Sequence, residues 1–181
     1  MIITFHPLQE AHFPLLLKWL TSPHVKAWWD QDVSWTITLI QEKYGPYVQG
    51  YKLEQGSKKP LHAYIICANT HPLGYIQFYN AYDFPREDKI PLEGLPKSLA
   101  ALDIFIGEEE YIGKGFGSES LKQFLKEHID PAFEACFVDP DTANGRAIRT
   151  YEKAGFKKIN TVNEGRITWM VRTKPPSHSQ H

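Results

Sequence analysis

The reading of this chain turns on SLAALDIFIGEEEYIGKGFGS, Ser98 to Ser118. Leu99 to Ile106 is an apolar run of strand length broken by one charge, Asp103. Three carboxylates follow, then Gly113-Lys-Gly115-Phe-Gly117-Ser118. Beyond them, Glu119 to Glu127 places Leu121, Phe124 and Leu125 on one helical face. The pattern predicts a strand, a glycine-rich turn and a helix. Glycines at a helix start let a ligand approach the backbone closely, and the unpaired N–H groups of the first turn attract negative charge, so a phosphate or pyrophosphate is the expected ligand. Two familiar phosphate loops do not fit: Lys114 precedes Gly115 instead of following the last glycine, and Ser118 stands where a dinucleotide fingerprint wants its third glycine. A flexible turn uses the same glycines, and only the downstream sequence separates the two readings.

Outward from this stretch, Ile2 to Phe5 reads as a strand and Leu8 to Leu20 as a helix restarted at Pro14. A second helix is capped by Ser34, carries Ile37, Ile40 and Tyr44 on its apolar stripe, and ends at Gly45-Pro46. Leu61 to Ala68 and Leu73 to Tyr82 form a hairpin across Asn69-Thr-His-Pro72. Asp83 to Lys97, punctuated by Pro85, Pro91, Gly94 and Pro96, is a long surface loop. After the central strand and helix come a strand from Phe133 to Val138, a helix from about Ala143 to Ala154 stopped by Gly155, and a closing hairpin of Phe156 to Val162 with Ile167 to Arg172. The order is β-α-α-β-β-β-α-β-α-β-β, an α/β sheet covered by helices on both faces. Residues 1–174 are expected to form a single domain and 175–181 a disordered tail.

With 20 basic and 21 acidic residues among 181, the chain lacks the field that nucleic acid or an anionic membrane surface would require. The acidic residues are unevenly spread, however: eight of them lie between Asp83 and Glu110 against Arg86, Lys89 and Lys97, which favours a cationic partner. Cys67 and Cys136 sit in apolar runs with no CxxC and no zinc-site spacing, so no metal is expected. The N-terminus has no basic n-region and no h-region, and the apolar run from Ala63 to Ala68 is far too short to span a bilayer. A cytoplasmic, soluble protein, monomer or homodimer, is the expectation.

The strand, the G-x-G turn, the helix, the next strand, and then Asn144-Gly-Arg-Ala-Ile-Arg-Thr-Tyr151-Glu-Lys-Ala-Gly-Phe156 together resemble the GNAT superfamily of acyl-CoA-dependent N-acyltransferases. Its loop pattern [Q/R]-x-x-G-x-[G/A] is matched by Ile112 to Gly117, with Ile112 where Gln or Arg is usual. Trp19-Leu-x-x-Pro-His-Val-x-x-Trp28-Trp29 extends the likeness to aminoglycoside 6′-N-acetyltransferases. The resemblance implies a GNAT fold with a mixed, largely antiparallel central sheet of six to seven strands, splayed at the middle. It implies acetyl-CoA as cosubstrate, held by Phe105, Ile106, Gly113, Lys114, Gly115, Phe116, Gly117, Ser118 and Asn144. A β-bulge near Asp103 would free a backbone N–H for the thioester carbonyl. A small cationic polyamine or aminoglycoside would be met by Trp28, Trp29, Tyr79, Asp83, Asp103 and Asp139. Catalysis would rest on Asp103 and Asp139 as carboxylates that hold the ammonium and take its proton, and on Tyr151 as acid toward the departing sulfur.

Each residue also has a plainer role open to it. Asp103 fits a satisfied structural carboxylate, Asp139 a turn or cap before Pro140, Tyr151 a core aromatic, and Trp28 with Trp29 a packing plug. His24, His62 and His128 show no convergent spacing, and Glu108 to Glu110 reads as a solvated turn. Rival functions are a siderophore-type N-hydroxylysine acylase, which tends to carry histidine where Asp103 stands, a protein N-acetyltransferase with an open groove, and an acetyl-CoA-binding regulator without turnover.

Overall fold

The computed structural model describes residues 1–86 and 88–176. Its central strand, β5 (Leu99–Ile106), lies in the middle of a sheet. Flanking it are β1 (Ile3–Pro7), β3 (Ser57–Ala68) and β4 (His71–Asn80) on one side, and β6 (Ala135–Val138), β7 (Lys157–Val162) and β8 (Ile167–Thr173) on the other. The strand order is β1-β3-β4-β5-β6-β8-β7, and β2 (Tyr51–Glu54) pairs with β3 off this path. All pairs are antiparallel except β5–β6, which runs parallel.

That exception creates the site. Strands β5 and β6 pair only from Leu99 with Ala135 to Ala101 with Phe137. From Leu102 onward β5 keeps its partner β4 but loses β6, so the sheet opens into a V. Side chains of β5 alternate across the sheet. Ala100 and Leu102 join one core with Leu121, Phe124, Ile148 and Tyr151, under α4 (Phe116–Phe124) and α5 (Gly145–Lys153). Phe105 packs into a second core on the opposite face with Leu16, Trp19, Ile40 and Tyr44, from α1 (Phe13–Leu20) and α3 (Ile37–Val48). The short helix α2 (Pro23–Lys26) carries Val25 into this second core. Helices therefore cover both faces, as the apolar stripes predict.

Several local expectations are corrected. An eighth strand, β2, is added: Gln55 and Gly56 take φ of 48° and 80°, the geometry of a tight hairpin turn. With four residues and an exposed Leu53, its Tyr51-Lys-Leu-Glu54 alternation is too short to announce a strand, and backbone pairing with β3 holds it. Helix α3 is capped by Thr36 and not Ser34, the Thr36 hydroxyl accepting from the Leu39 N–H at 3.2 Å. It also passes Pro46 and runs to Val48, because Tyr47 beyond the proline is buried edge-on against Tyr44 at 5.3 Å. The proline thus forfeits one N–H bond while an aromatic side chain stays in the core. The β4–β5 register is unbroken from Gly74 to Asn80, so no bulge stands at Asp103. Irregularities lie instead between Ile66 and Cys67, opposite Leu73, and between Lys158 and Asn160 of β7. Of the expected tail, residues 177–181 lie outside the described residues, while Pro175 and Pro176 are exposed and carry no regular structure.

At the end of β5, Gly107 lies against fully buried Trp19; a Cβ there would stand 2.2 Å from the indole. The Trp19 Nε1–H donates to Glu108, and Lys18 pairs with the same carboxylate at 3.0 Å. Glu108 is therefore a tie between α1 and the central strand, not a solvated turn. Those donors, the Trp19 hydrogen bond first, hold its carboxyl below the usual range.

Candidate active site

The V between β5 and β6 is the floor of a cleft of about 840 Å³. Which backbone groups face it follows from the antiparallel ladder. Leu99 C=O accepts from Ala81, and Gly107 N–H donates to Leu73, so the odd residues of β5 bond toward β4. Leu102 and Ile104 consequently turn their N–H groups toward β6; the parallel pair of Ala101 with Phe137 takes the Leu102 N–H, and Ile104, beyond the last pair, is left facing the vacated side. The free donor at Ile104 arises from strand divergence and not from a bulge. Ile106 turns its carbonyl the same way and accepts from His24 Nε2–H at 3.1 Å. His24, left without a role in the sequence, thus ties α2 to the cleft wall.

At one end of the cleft Gly113 and Gly115 take φ of +76° and +86°, conformations that L side chains resist. No atom lies within 4 Å of where a Cβ on either would stand. Gly115 is the N-cap of α4, so the N–H groups that follow point outward without helical partners. Gly113, Gly115, Gly117 and Ser118 line the cleft. Lys114 and Phe116 do not: Lys114 is exposed, and Phe116 packs edge-on against Tyr111 at 4.8 Å. The anion cradle is therefore backbone. Across from it, Asn144 caps α5, its Oδ1 accepting from Ala147 N–H at 3.2 Å, which leaves its NH₂ group on offer.

Arg146, Arg149 and Lys153 also line the cleft, at spacings that place them on one face of α5 while Ile148 and Tyr151 bury the other. These three cations were not singled out from the sequence, although their i, i+3, i+7 spacing carried the signal. Together with the open glycine cradle they fit a polyphosphate such as that of coenzyme A. Phe105 and Ile106 line the same wall.

The other half of the cleft is anionic. Asp103 is directly opposite Gln77 in the β4–β5 register, and its Oδ2 accepts from Gln77 Nε2–H at 2.9 Å. Asp139, just past β6, pairs through Oδ2 with Arg86 Nη2 at 2.9 Å. Arg86 comes from the long loop after β4 and lies over the Phe137 ring at 4.8 Å. Asp139 still lines the cleft. Burial pushes its carboxyl up to about 6, Arg86 opposes that rise, and the charge of Asp103 adds to it. Tyr151 is buried, its ring 5.5 Å from Phe156, and borders the cleft. Burial, with the charges of Asp103 and Asp139, pushes its phenol far up, so it stays protonated at neutral pH.

The two tryptophans divide the roles left open for them. Trp28 lines the cleft and is 47% exposed, while Trp29 lines it and also packs edge-on to Phe105 at 4.9 Å. Tyr79 and Asp83 are not part of the cleft wall. Tyr79 faces the loop, edge-on to Phe84 at 5.2 Å, and Asp83 sits in the turn closed by its own N–H to Asn80 C=O. The loop itself is seated: Ile90, Leu92 and Leu95 pack on the core of Leu99, Phe137 and Trp169.

The comparisons agree with this geometry. The model of the Acetyltransferase (GNAT) domain matches residues 9–163. The chain is 31% identical over 176 residues to aminoglycoside N(6′)-acetyltransferase type 1 of Klebsiella pneumoniae, a match spanning 95% of this chain and 83% of that protein. Among solved structures it resembles AAC(6′)-Ib in complex with ribostamycin and coenzyme A, with a TM-score of 0.81 and 29% identity over 96% of this chain and 94% of that one. The same enzyme with coenzyme A and kanamycin gives a TM-score of 0.76 over 96% and 95%. A splayed β5–β6 pair, a glycine cradle at the start of α4 and a family match over most of its length establish that the chain belongs to the GNAT acetyltransferases.

Proposed function

We propose that this protein transfers the acetyl group of acetyl-CoA to a primary amine of a small cationic acceptor, the 6′-amine of an aminoglycoside. The observation that carries the reading is the pair Asp103 and Asp139 at the open side of the β5–β6 cleft, opposite a backbone anion cradle. The names of the similar proteins, and the aminoglycosides bound in their structures, support the acceptor class. Two buried, unpaired cysteines support a reducing, cytoplasmic setting, and no helix among the described residues is long and apolar enough to cross a membrane.

Acetyl-CoA supplies an acetyl group activated as a thioester. Gly113 to Ser118 would hold its pyrophosphate through backbone N–H groups, with Arg146, Arg149 and Lys153 offering countercharge and the Asn144 NH₂ a polar contact. The N–H group of Ile104, past the last β5–β6 pair, is aimed where the thioester carbonyl needs a donor. An acceptor amine arrives largely as ammonium, because a primary amine has a pKa well above 7. Asp103, with one oxygen fixed by Gln77, anchors that cation. Asp139, pushed up to about 6, is poised just below neutral pH and takes the proton. Tyr151 gives its proton to the departing sulfur. Trp28, 47% exposed, offers an aromatic face to the sugar rings. A hydroxylamine acceptor, largely neutral at pH 7, would have no use for two carboxylates.

The test is free thiol released from acetyl-CoA with kanamycin, N-hydroxylysine and a peptide as acceptors, for the natural chain and for Asp103→Asn. Turnover should be confined to kanamycin, and Asp103→Asn should raise its KM and lower kcat/KM by about a hundredfold or more while leaving acetyl-CoA binding unchanged. Equal turnover of a neutral acceptor would overturn the reading.

A further inference from the structure

We infer that Gln77 is a positioning residue for the reaction, acting only through Asp103. This rests on Asp103 as the ammonium anchor. Gln77 is a polar side chain 9% exposed on β4, one of few buried polar groups in the sheet. A carboxylate can only accept, so the Gln77 amide must turn its NH₂ to Asp103 and its Oε1 the other way. There the Tyr75 hydroxyl donates to Oε1 at 2.6 Å. Tyr75 is fully buried on the same strand, its ring stacked on Phe105 at 5.5 Å and edge-on to Tyr44 at 5.7 Å, so the phenol has no freedom to swing away. The chain Tyr75, Gln77, Asp103 therefore has one direction, from the phenol through the amide to the carboxylate.

The consequence reaches the cleft. Gln77 is not part of the cleft wall, whereas Asp103 is. Fixing Oδ2 from behind stops the carboxylate from rotating about its Cβ–Cγ bond and leaves Oδ1 for the acceptor. A side chain held in advance loses less freedom on binding, so the contribution appears in acceptor affinity and not in the chemical step. The Asp103 charge is also felt by Tyr44 and Tyr47 of α3, Tyr75 and Tyr79 of β4, Cys136 of β6, Asp139 and Tyr151 across the cleft, and Arg86, the cation of this group among the described residues, which is paired to Asp139. The Gln77 N–H is thus the donor that faces Asp103 directly.

The experiment is a double-mutant cycle read in KM for kanamycin, kcat, and KM for acetyl-CoA. Gln77→Met keeps the length and apolar stem but removes the donor. It should raise the kanamycin KM about tenfold, with kcat within about threefold and the acetyl-CoA KM unchanged. In an Asp103→Asn background the same substitution should change the kanamycin KM by less than about twofold, because the group through which it acts is gone. Tyr75→Phe, which keeps the ring and frees the amide, should move KM in the same direction by a smaller factor, and it carries the test if Gln77→Met fails to fold. An undiminished effect of Gln77→Met in the Asp103→Asn background, or a matching loss in acetyl-CoA KM, would make Gln77 structural and overturn the inference. If Asp103→Asn alone leaves the kanamycin KM unchanged, the anchor role of Asp103 fails first, a different outcome from the failure of Gln77.

Discussion

Asp139 should destabilise the fold that holds it, and replacing it should reveal this. Its carboxyl lies at about 6 in the folded protein against an ordinary 3.8. At 1.36 kcal/mol per pH unit, the gap makes an ionised Asp139 worth about 3 kcal/mol less to folding than a protonated one. The sign follows from which state binds the proton more tightly. Here it is the folded state, so the stability that the protonated acid confers is present below about pH 4 and is lost as pH rises through 6. Asn mimics the protonated acid and has already given up the charge interaction with Arg86, so that loss is counted within the 3 kcal/mol. The carboxylate is 29% exposed, and solvent screening makes the figure a ceiling. For a chain of this size about 3 kcal/mol corresponds to roughly 6–12 °C in melting temperature. Thermal melts of the natural chain and Asp139→Asn at pH 4.5, 6.0 and 7.5 should show a gap that is small at pH 4.5 and widens in favour of Asn at pH 7.5. In the same variant kcat should fall about 10²-fold or more, and the acid limb of the natural kcat/KM profile near pH 6 should vanish. A gap independent of pH, or an Asn variant less stable at pH 7.5, would refute the account of Asp139 as a carboxylate kept ionised at a cost for its chemistry.

Two further outcomes follow from the cleft. Tyr151→Phe retains the packing against Phe156 and loses only the proton donor, so kcat should fall about 10²-fold with an unchanged melt; a fully active Phe variant would return Tyr151 to the core. In the cradle, Gly115→Val and Gly117→Val should both weaken acetyl-CoA binding measured by calorimetry, while exposed Lys114→Ala should cost much less. Only the Gly115 variant should also lose stability, by about 1–2 kcal/mol, since Gly115 alone of the two has positive φ, while a Cβ at Gly117 would meet Thr150 at an ordinary 3.5 Å. Equal affinity losses for all three variants would sink a backbone cradle.

Much of the fold could be read from residues close together in the chain. The central strand is bounded at Leu99 and Ile106, as the sequence implies, because a continuous apolar run of strand length, broken by Asp103 alone, ends there at a glycine. Gly155, with φ of +99°, stops α5 as its position after an amphipathic segment implies. Where the structure departs from the local pattern, tertiary context decides: Pro46 does not end α3 because Tyr47 beyond it is core, and the short β2 forms because its partner β3 is already fixed in the sheet.

The site divides along the same line. Strand, glycine turn, helix and the Asn144 to Phe156 segment could be identified from sequence because turn chemistry, helix caps and side-chain periods act over a few residues. What the carboxylates do could not. Gln77 meets Asp103 across 26 residues, Arg86 meets Asp139 across 53, His24 meets Ile106 across 82, and Trp19 meets Glu108 across 89. The charge state of Asp139 depends on how much water its neighbours exclude and on the distance to Arg86, and neither quantity has a local signature. The same is true of the cleft itself, whose free N–H group at Ile104 exists because β6, more than 30 residues downstream, turns away after pairing with Ala101. Periodicity carries the elements, whereas proton affinity, carboxylate orientation and strand divergence belong to groups that meet only when the chain has folded.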